Sequence, residues 1–175
     1  KQSAVLFSIG TGVGGAIMLD GKILRGASGS AGAFGWINLD LHEAADPQHG
    51  YLERHASGTA LWEKTKQIDA NLSSYDLVEM ARANNRQSLD VIEEIADKLG
   101  KALAVVASIL DPQIILFSGG VSDAFDLFEA IIKERIQQYG SPSVRQIPVS
   151  VGRLGSLAGV YGAIRAAMLK QDAWI

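Results

Sequence analysis

A chain of 175 residues in which 47% are apolar can bury one good core, which excludes intrinsic disorder and fits a single domain or one lobe of a larger body. The net charge of −3, from 16 basic and 19 acidic residues, argues against a nucleic-acid surface, because phosphate binding needs clustered Lys and Arg. No apolar run approaches the roughly 20 residues of a spanning helix, no leader pattern opens the chain and cysteine is absent; a cytoplasmic protein without membrane contact, disulfides or a thiolate metal cage is expected.

Residues 4–9 form a short apolar run that ends in Gly10-Thr11-Gly12. Residues 15–19 form a second, ending in Asp20-Gly21, a dipeptide favoured in tight hairpins, so two antiparallel strands are predicted. Residues 22–25 supply a third. Lys1 is not a methionine and the first strand begins almost at once, so the chain is read as cut from a longer protein just before a strand. GASGSAGAFG, residues 26–35, is too rich in glycine for a regular element and reads as a loop. Residues 36–41 are predicted as a short strand, and 41–50, with Asp46-Pro47 and two histidines, as an exposed connection.

From Tyr51 the pattern becomes helical, with Leu52, His55 and Ala56 on one stripe, and Ser57 or Thr59 is placed to cap a helix carrying Leu61 and Trp62. A short helix begins at Ser74 or Tyr75 and runs through Ala83. The longest, residues 88–110, has a wide apolar stripe suited to packing on a sheet, and Asp111-Pro112 stops it because proline cannot continue the ladder. Residues 114–117 read as a buried strand, 125–139 as an amphipathic helix, 148–151 as the last strand and 156–168 as a closing helix. The order predicts a mixed α/β fold, three antiparallel strands followed by two further strands, with helices covering the sheet.

Two glycine clusters carry the candidate chemistry. SIGTGVGGA, residues 8–16, joins two strands by a tight turn whose bare amides can surround phosphate oxygens, with Thr11 adding a hydroxyl; the alternative is a hairpin with no ligand. Because it leads to a strand and not a helix, it is not a dinucleotide fingerprint. Gly119-Gly120 lies at the carboxyl end of a buried strand and ahead of a helix, with Ser122 or Asp123 as the expected N-cap, at the kind of edge where open α/β sheets bind ligands. A plain strand-to-helix turn is the alternative there.

Residues 10–36 (GTGVGGAIMLDGKILRGASGSAGAFGW), 50–58 (GYLERHASG), 111–123 (DPQIILFSGGVSD) and 154–168 (LGSLAGVYGAIRAAM) resemble, in order and spacing, successive motifs of the ROK family of ATP-dependent hexose kinases and sugar-responsive transcriptional repressors. The likeness covers almost the whole chain. It implies an actin-like ATPase (ribonuclease H-like) lobe with helices on both faces of its sheet, Gly10, Thr11 and Gly12 facing the nucleotide phosphates, Gly119, Gly120 and Val121 flanking the adenosine, and ATP with Mg²⁺ as cofactors. Glu53 keeps the glutamate position of the family's sugar-binding stretch, where a carboxylate can accept paired hydroxyl bonds; the alternative is an exposed helix glutamate.

The departures are as specific as the matches. Ala33 and Trp36 stand where the family's kinases usually have a glutamate and a histidine, and Trp36 either stacks on a sugar face or fills core. The resemblance would bring a zinc site of that histidine and three cysteines, but Tyr51 occupies one of those positions and no cysteine exists; His42 and His49 read as solvated, so no structural zinc is expected. Zinc-free relatives resembling β-glucoside kinases replace the histidine with an aromatic residue, so Trp36 does not exclude a kinase.

In the family the catalytic aspartate lies in the N-terminal lobe, so no catalytic residue is expected here. Residues 1–175 read as the C-terminal lobe of a two-lobed hexose or glucoside kinase, inactive alone, with a small-molecule sugar and the missing N-terminal lobe as partners and a homodimer as the assembly. The alternative is the effector-binding domain of a sugar-responsive repressor, a reading suited by the tail, residues 170–175.

Overall fold

The computed structural model describes residues 1–169. Five strands form one mixed sheet in the order β3-β2-β1-β4-β5. Strands β1 (Ala4–Ile9), β2 (Val13–Leu19) and β3 (Lys22–Ile23) pair antiparallel in succession, while β4 (Ile115–Ser118) lies parallel to β1 and β5 (Val149–Val151) parallel to β4. This is the predicted three-plus-two arrangement. Alternation along β1 buries Val5, Phe7 and Ile9, and the register sets Val5 beside Ile115 and Phe7 beside Phe117.

The same core takes in Leu52 of α1 (Tyr51–Ala56), Leu61 of α2 (Gly58–Ile68), Leu77 of α3 (Ser74–Arg82), a long stripe of α4 (Arg86–Leu110) and Phe128, Ile132 and Ile136 of α5 (Phe125–Tyr139). Helix starts follow side-chain chemistry. Ser57 accepts the Ala60 N–H at 3.1 Å, Ser73 and Asp76 form a reciprocal capping box, and Asn85 accepts from the Ser88 N–H. Helix α4 ends where Asp111 turns left-handed, φ 43°, directly before Pro112.

Helices α4 and α5 meet closely at Gly100. A Cβ there would stand 2.7 Å from Arg135 Cβ and 3.1 Å from Ile132 Cα, and Asp97 bridges the pair by accepting from Arg135 Nε at 2.5 Å and Lys101 Nζ at 2.7 Å. Gly100→Val is therefore expected to lower the unfolding free energy by about 2 kcal/mol through overpacking. Urea denaturation checks this; a variant as stable as the parent would mean that the helices part there freely.

The predicted strand at 36–41 does not form. A 3-10 turn, Phe34–Trp36, leads into an irregular segment in which side chains take over backbone pairing: Asn38 accepts the Asp40 N–H at 2.8 Å, Asp40 the His42 N–H at 2.9 Å and Asp46 the Gln48 N–H at 2.7 Å. Such local bonds compete with a sheet ladder. The third strand is shorter than predicted because the chain turns away at Gly26, φ +75°. A 3-10 turn, Gly155–Leu157, precedes α6 (Ala158–Leu169), on which Val160, Tyr161, Ile164 and Met168 are all more than half exposed. The tail, residues 170–175, lies outside the described residues. Among the described residues no helix is long and apolar enough to cross a membrane.

Candidate functional site

The turn between β1 and β2 is only Gly10, Thr11 and Gly12. Pairing continues down to Ile9 and Val13, so β2 begins at Val13 and takes in Gly14, two residues ahead of its predicted start at Gly15. Helix α2 and Glu53 hold this turn in place. The Gly58 N–H donates to the Gly10 carbonyl at 2.7 Å and the Thr59 hydroxyl to the Thr11 carbonyl at 2.8 Å. Glu53 Oε2 accepts the Val13 N–H at 3.0 Å, and a Cβ on Gly12 would stand 2.9 Å from Glu53 Cδ. Among the described residues the N–H groups of Thr11 and Gly12 donate to no protein acceptor.

The second turn shares the first one's edge for a topological reason. Strands β1 and β4 are parallel neighbours, with Ser8 beside Ser118, so both end on the same rim. Gly119 then adopts φ +91°, and a Cβ there would stand 2.7 Å from the Ile9 carbonyl carbon; only glycine fits this conformation and this closeness. The Ser122 hydroxyl donates to the Gly119 carbonyl at 2.6 Å. The sequence predicts Ser122 or Asp123 as the cap of α5, but neither caps it. Both lie in a 3-10 turn, Gly120–Ala124, which puts Ala124 at the cap position with no side-chain bond.

A cavity of about 520 Å³ joins the two turns, with Gly10 and Thr11 on one side and Gly120 and Val121 on another. A Cβ on Gly10 or Gly120 would meet nothing within 4 Å. Arg82 closes one end. It donates to Asp126 at 3.0 and 2.8 Å, to Glu79 at 2.6 Å and to the Asp123 carbonyl at 3.0 Å. These carboxylates, Asp126 foremost, hold the guanidinium above its ordinary range, and Arg82 holds the Asp126 carboxyl below its own.

A second cavity of about 630 Å³ lies on the other side of Thr11, lined also by Gly12, Glu53, Arg54, His55 and Glu63. Its wall is tied to the 41–50 connection by Glu43, which forms an ion pair with Arg54 and lies 2.8 Å from His55 Nε2. The His55 bond, then Arg54, keeps the Glu43 carboxyl below the usual carboxylate range against the opposing effect of desolvation. A depressed folded value means that this stabilisation is present in full above the ordinary carboxylate pKa and is lost as pH falls through the folded one. Glu43→Gln is expected to remove that share of the acid dependence, measured as urea midpoints at neutral pH and at about pH 4. An unchanged acid slope would contradict it.

Among the residues singled out from sequence, Gly10, Thr11, Gly120 and Val121 line one cavity, Thr11, Gly12 and Glu53 line the other, and Gly119 sits beneath the rim. Trp36 lines neither. It is not core either, being 56% exposed, because Phe34 takes the inward position of that 3-10 turn and stacks on Phe7 at 4.3 Å between centroids. His49 is solvent-facing beside Asp46, and among the described residues no group of three or more His, Cys, Asp or Glu side chains is placed to hold a metal ion. Sequence reasoning named Thr59 only as a possible helix cap, missing its bond to the turn, and missed Arg82. The small polar run Ser57-Gly58-Thr59 at a helix start was a readable signal for the first; Arg82 carried none.

Known proteins share this fold. The chain is 33% identical to a glucokinase of Halalkalibacterium halodurans over 181 residues, covering 92% of this chain and 54% of that protein. It superposes on a ROK family glucokinase from Streptomyces griseus, solved in complex with glucose and AMPPNP, with a TM-score of 0.83 and 27% identity, covering 97% of this chain and 61% of that one. It also matches a ROK family transcriptional regulator, a homologue of the E. coli MLC protein, with a TM-score of 0.77 and 27% identity over 86% of this chain and 42% of that one. The chain spans about half the length of the curated relatives it matches. The ROK family model matches residues 1–171, and this chain belongs to the ROK family.

Proposed function

We propose that this chain is the nucleotide-side lobe, with part of the sugar site, of an ATP-dependent hexose or glucoside kinase whose second lobe carries the catalytic base. The observation that supports it most is the position of Thr11, shared between the cavity of the two glycine turns and the cavity of Glu53. A donor on one side and a polyol on the other would meet there. The cavity volume of about 520 Å³ suits a nucleotide, and the unclaimed amides of Thr11 and Gly12 suit phosphate oxygens.

In this reading Gly10, Thr11 and Gly12 orient the phosphates, Gly119, Gly120 and Val121 flank the adenosine, and Glu53 accepts sugar hydroxyl bonds with the oxygen that Val13 does not use. ATP would supply the phosphoryl group, and Mg²⁺ bound with it would offset the charge on its phosphates. The chain alone turns over nothing. The exposed apolar side chains of α6 favour a lobe that packs against another. A homodimer and a cytoplasmic setting accompany this reading.

The test is a coupled ADP-release assay on the full-length protein with MgATP and a panel of hexoses and β-glucosides. Turnover of at least one sugar is expected; absence of both ATP binding and phosphorylation would sink the reading. Ala33 and Trp36 favour a second one, the effector domain of a sugar-responsive repressor, since they remove two polar side chains from the sugar loop. Sugar-dependent operator binding without ATP turnover would select it.

A further inference from the structure

The cavity between the two glycine turns has a third wall, helix α3, which presents Ser74, Tyr75, Val78 and Arg82 to it. These positions fall on one helical face, while Leu77 and Ala81 pack into the core. Tyr75 stands apart from the rest of that wall. It is 72% exposed, whereas Val78 beside it is 8% exposed, so the fold leaves a large aromatic ring in water at the rim of a cavity. Arg82, one end of the same face, is fixed by four hydrogen bonds and serves as a wall and not as a free cation.

The chemistry of the cavity changes along its length. At Gly10 and Thr11 it offers backbone and a hydroxyl; at Leu61, Val78 and Val121 it offers apolar side chains. A ligand that fits has an anionic end and a flat, weakly polar end. We propose that Tyr75 is the stacking platform for the base of the nucleotide donor, with Val121 and the bare backbone of Gly120 lining the same slot. This rests on the functional reading above and adds to it a residue that selects the donor. Because every base has a π-face, stacking of this kind fixes the presence of a base more than its identity.

The experiment is calorimetric titration of the full-length protein with ADP, for the parent, Tyr75→Ala and Tyr75→Phe, alongside thermal denaturation of each. Tyr75→Ala is expected to weaken ADP binding roughly tenfold, as loss of one stacked base does, and Tyr75→Phe to stay within about twofold. All three should melt together, since the ring covers little of the protein. Unchanged ADP affinity in Tyr75→Ala would overturn the assignment, as would a Tyr75→Phe variant equally weakened, or a weakened Tyr75→Ala that also melts lower. A parent that binds no ADP removes the kinase reading itself, and this inference with it.

Discussion

Leucine in place of Gly120 is expected to weaken nucleotide binding at least about 100-fold while leaving the melting temperature within about 2 °C of the parent. A Cβ there would meet nothing within 4 Å and Gly120 lines the cavity shared with Gly10 and Thr11, so the added side chain is expected to take up cavity space and not to strain the fold. Gly119→Ala is expected to behave in the opposite way. Its φ of +91° lies where an L-residue is strained and its Cβ would press on the Ile9 backbone, so a loss of about 3 kcal/mol in stability is expected. Nucleotide titration with thermal denaturation separates the two neighbours. If Gly120→Leu binds ADP normally, the space beside it is not a nucleotide site.

The second large effect belongs to Glu53. Glu53→Ala is expected to cut kcat/KM for sugar phosphorylation about 100-fold or more, because in the proposed role an acceptor of sugar hydroxyl bonds is lost together with the brace on the β1–β2 turn. Removing Oε2 leaves the part-buried Val13 N–H without its acceptor, which costs about 1–2 kcal/mol in stability. Glu53→Gln keeps an oxygen for Val13 and should regain the stability while activity stays low. Kinetics and urea midpoints on both variants read the two roles separately. A fully active Glu53→Ala enzyme would leave this residue its brace on Val13 and no part in gripping the sugar.

Much of this molecule could be read from residues in order. The periodicity of residues 88–110, the stop at Asp111-Pro112, the apolar run before Gly119 and the Asp20-Gly21 hairpin each identify their element, because each depends on neighbours in sequence. The misreadings came where distant groups decide. Residues 36–41 have strand-like composition, but nearby Asn and Asp side chains take up backbone N–H groups there in place of a ladder. Trp36 reads from sequence as either a sugar-stacking ring or core, and Phe34 fills the place against Phe7 that the core reading would give it. The link between Glu53 and the Val13 amide crosses 40 residues and has no local signature. Nor do the bonds from α3 through Arg82 to Asp126, which shape one end of the cavity between the two glycine turns.

The most direct measurement is an amide-resolved NMR titration of the isotope-labelled full-length protein with a non-hydrolysable ATP analogue and Mg²⁺. The account predicts that the signals of Gly10, Thr11, Gly12, Gly119, Gly120 and Val121 move together and saturate at one nucleotide per chain. Saturable binding that shifts amides elsewhere and leaves these six still would contradict it.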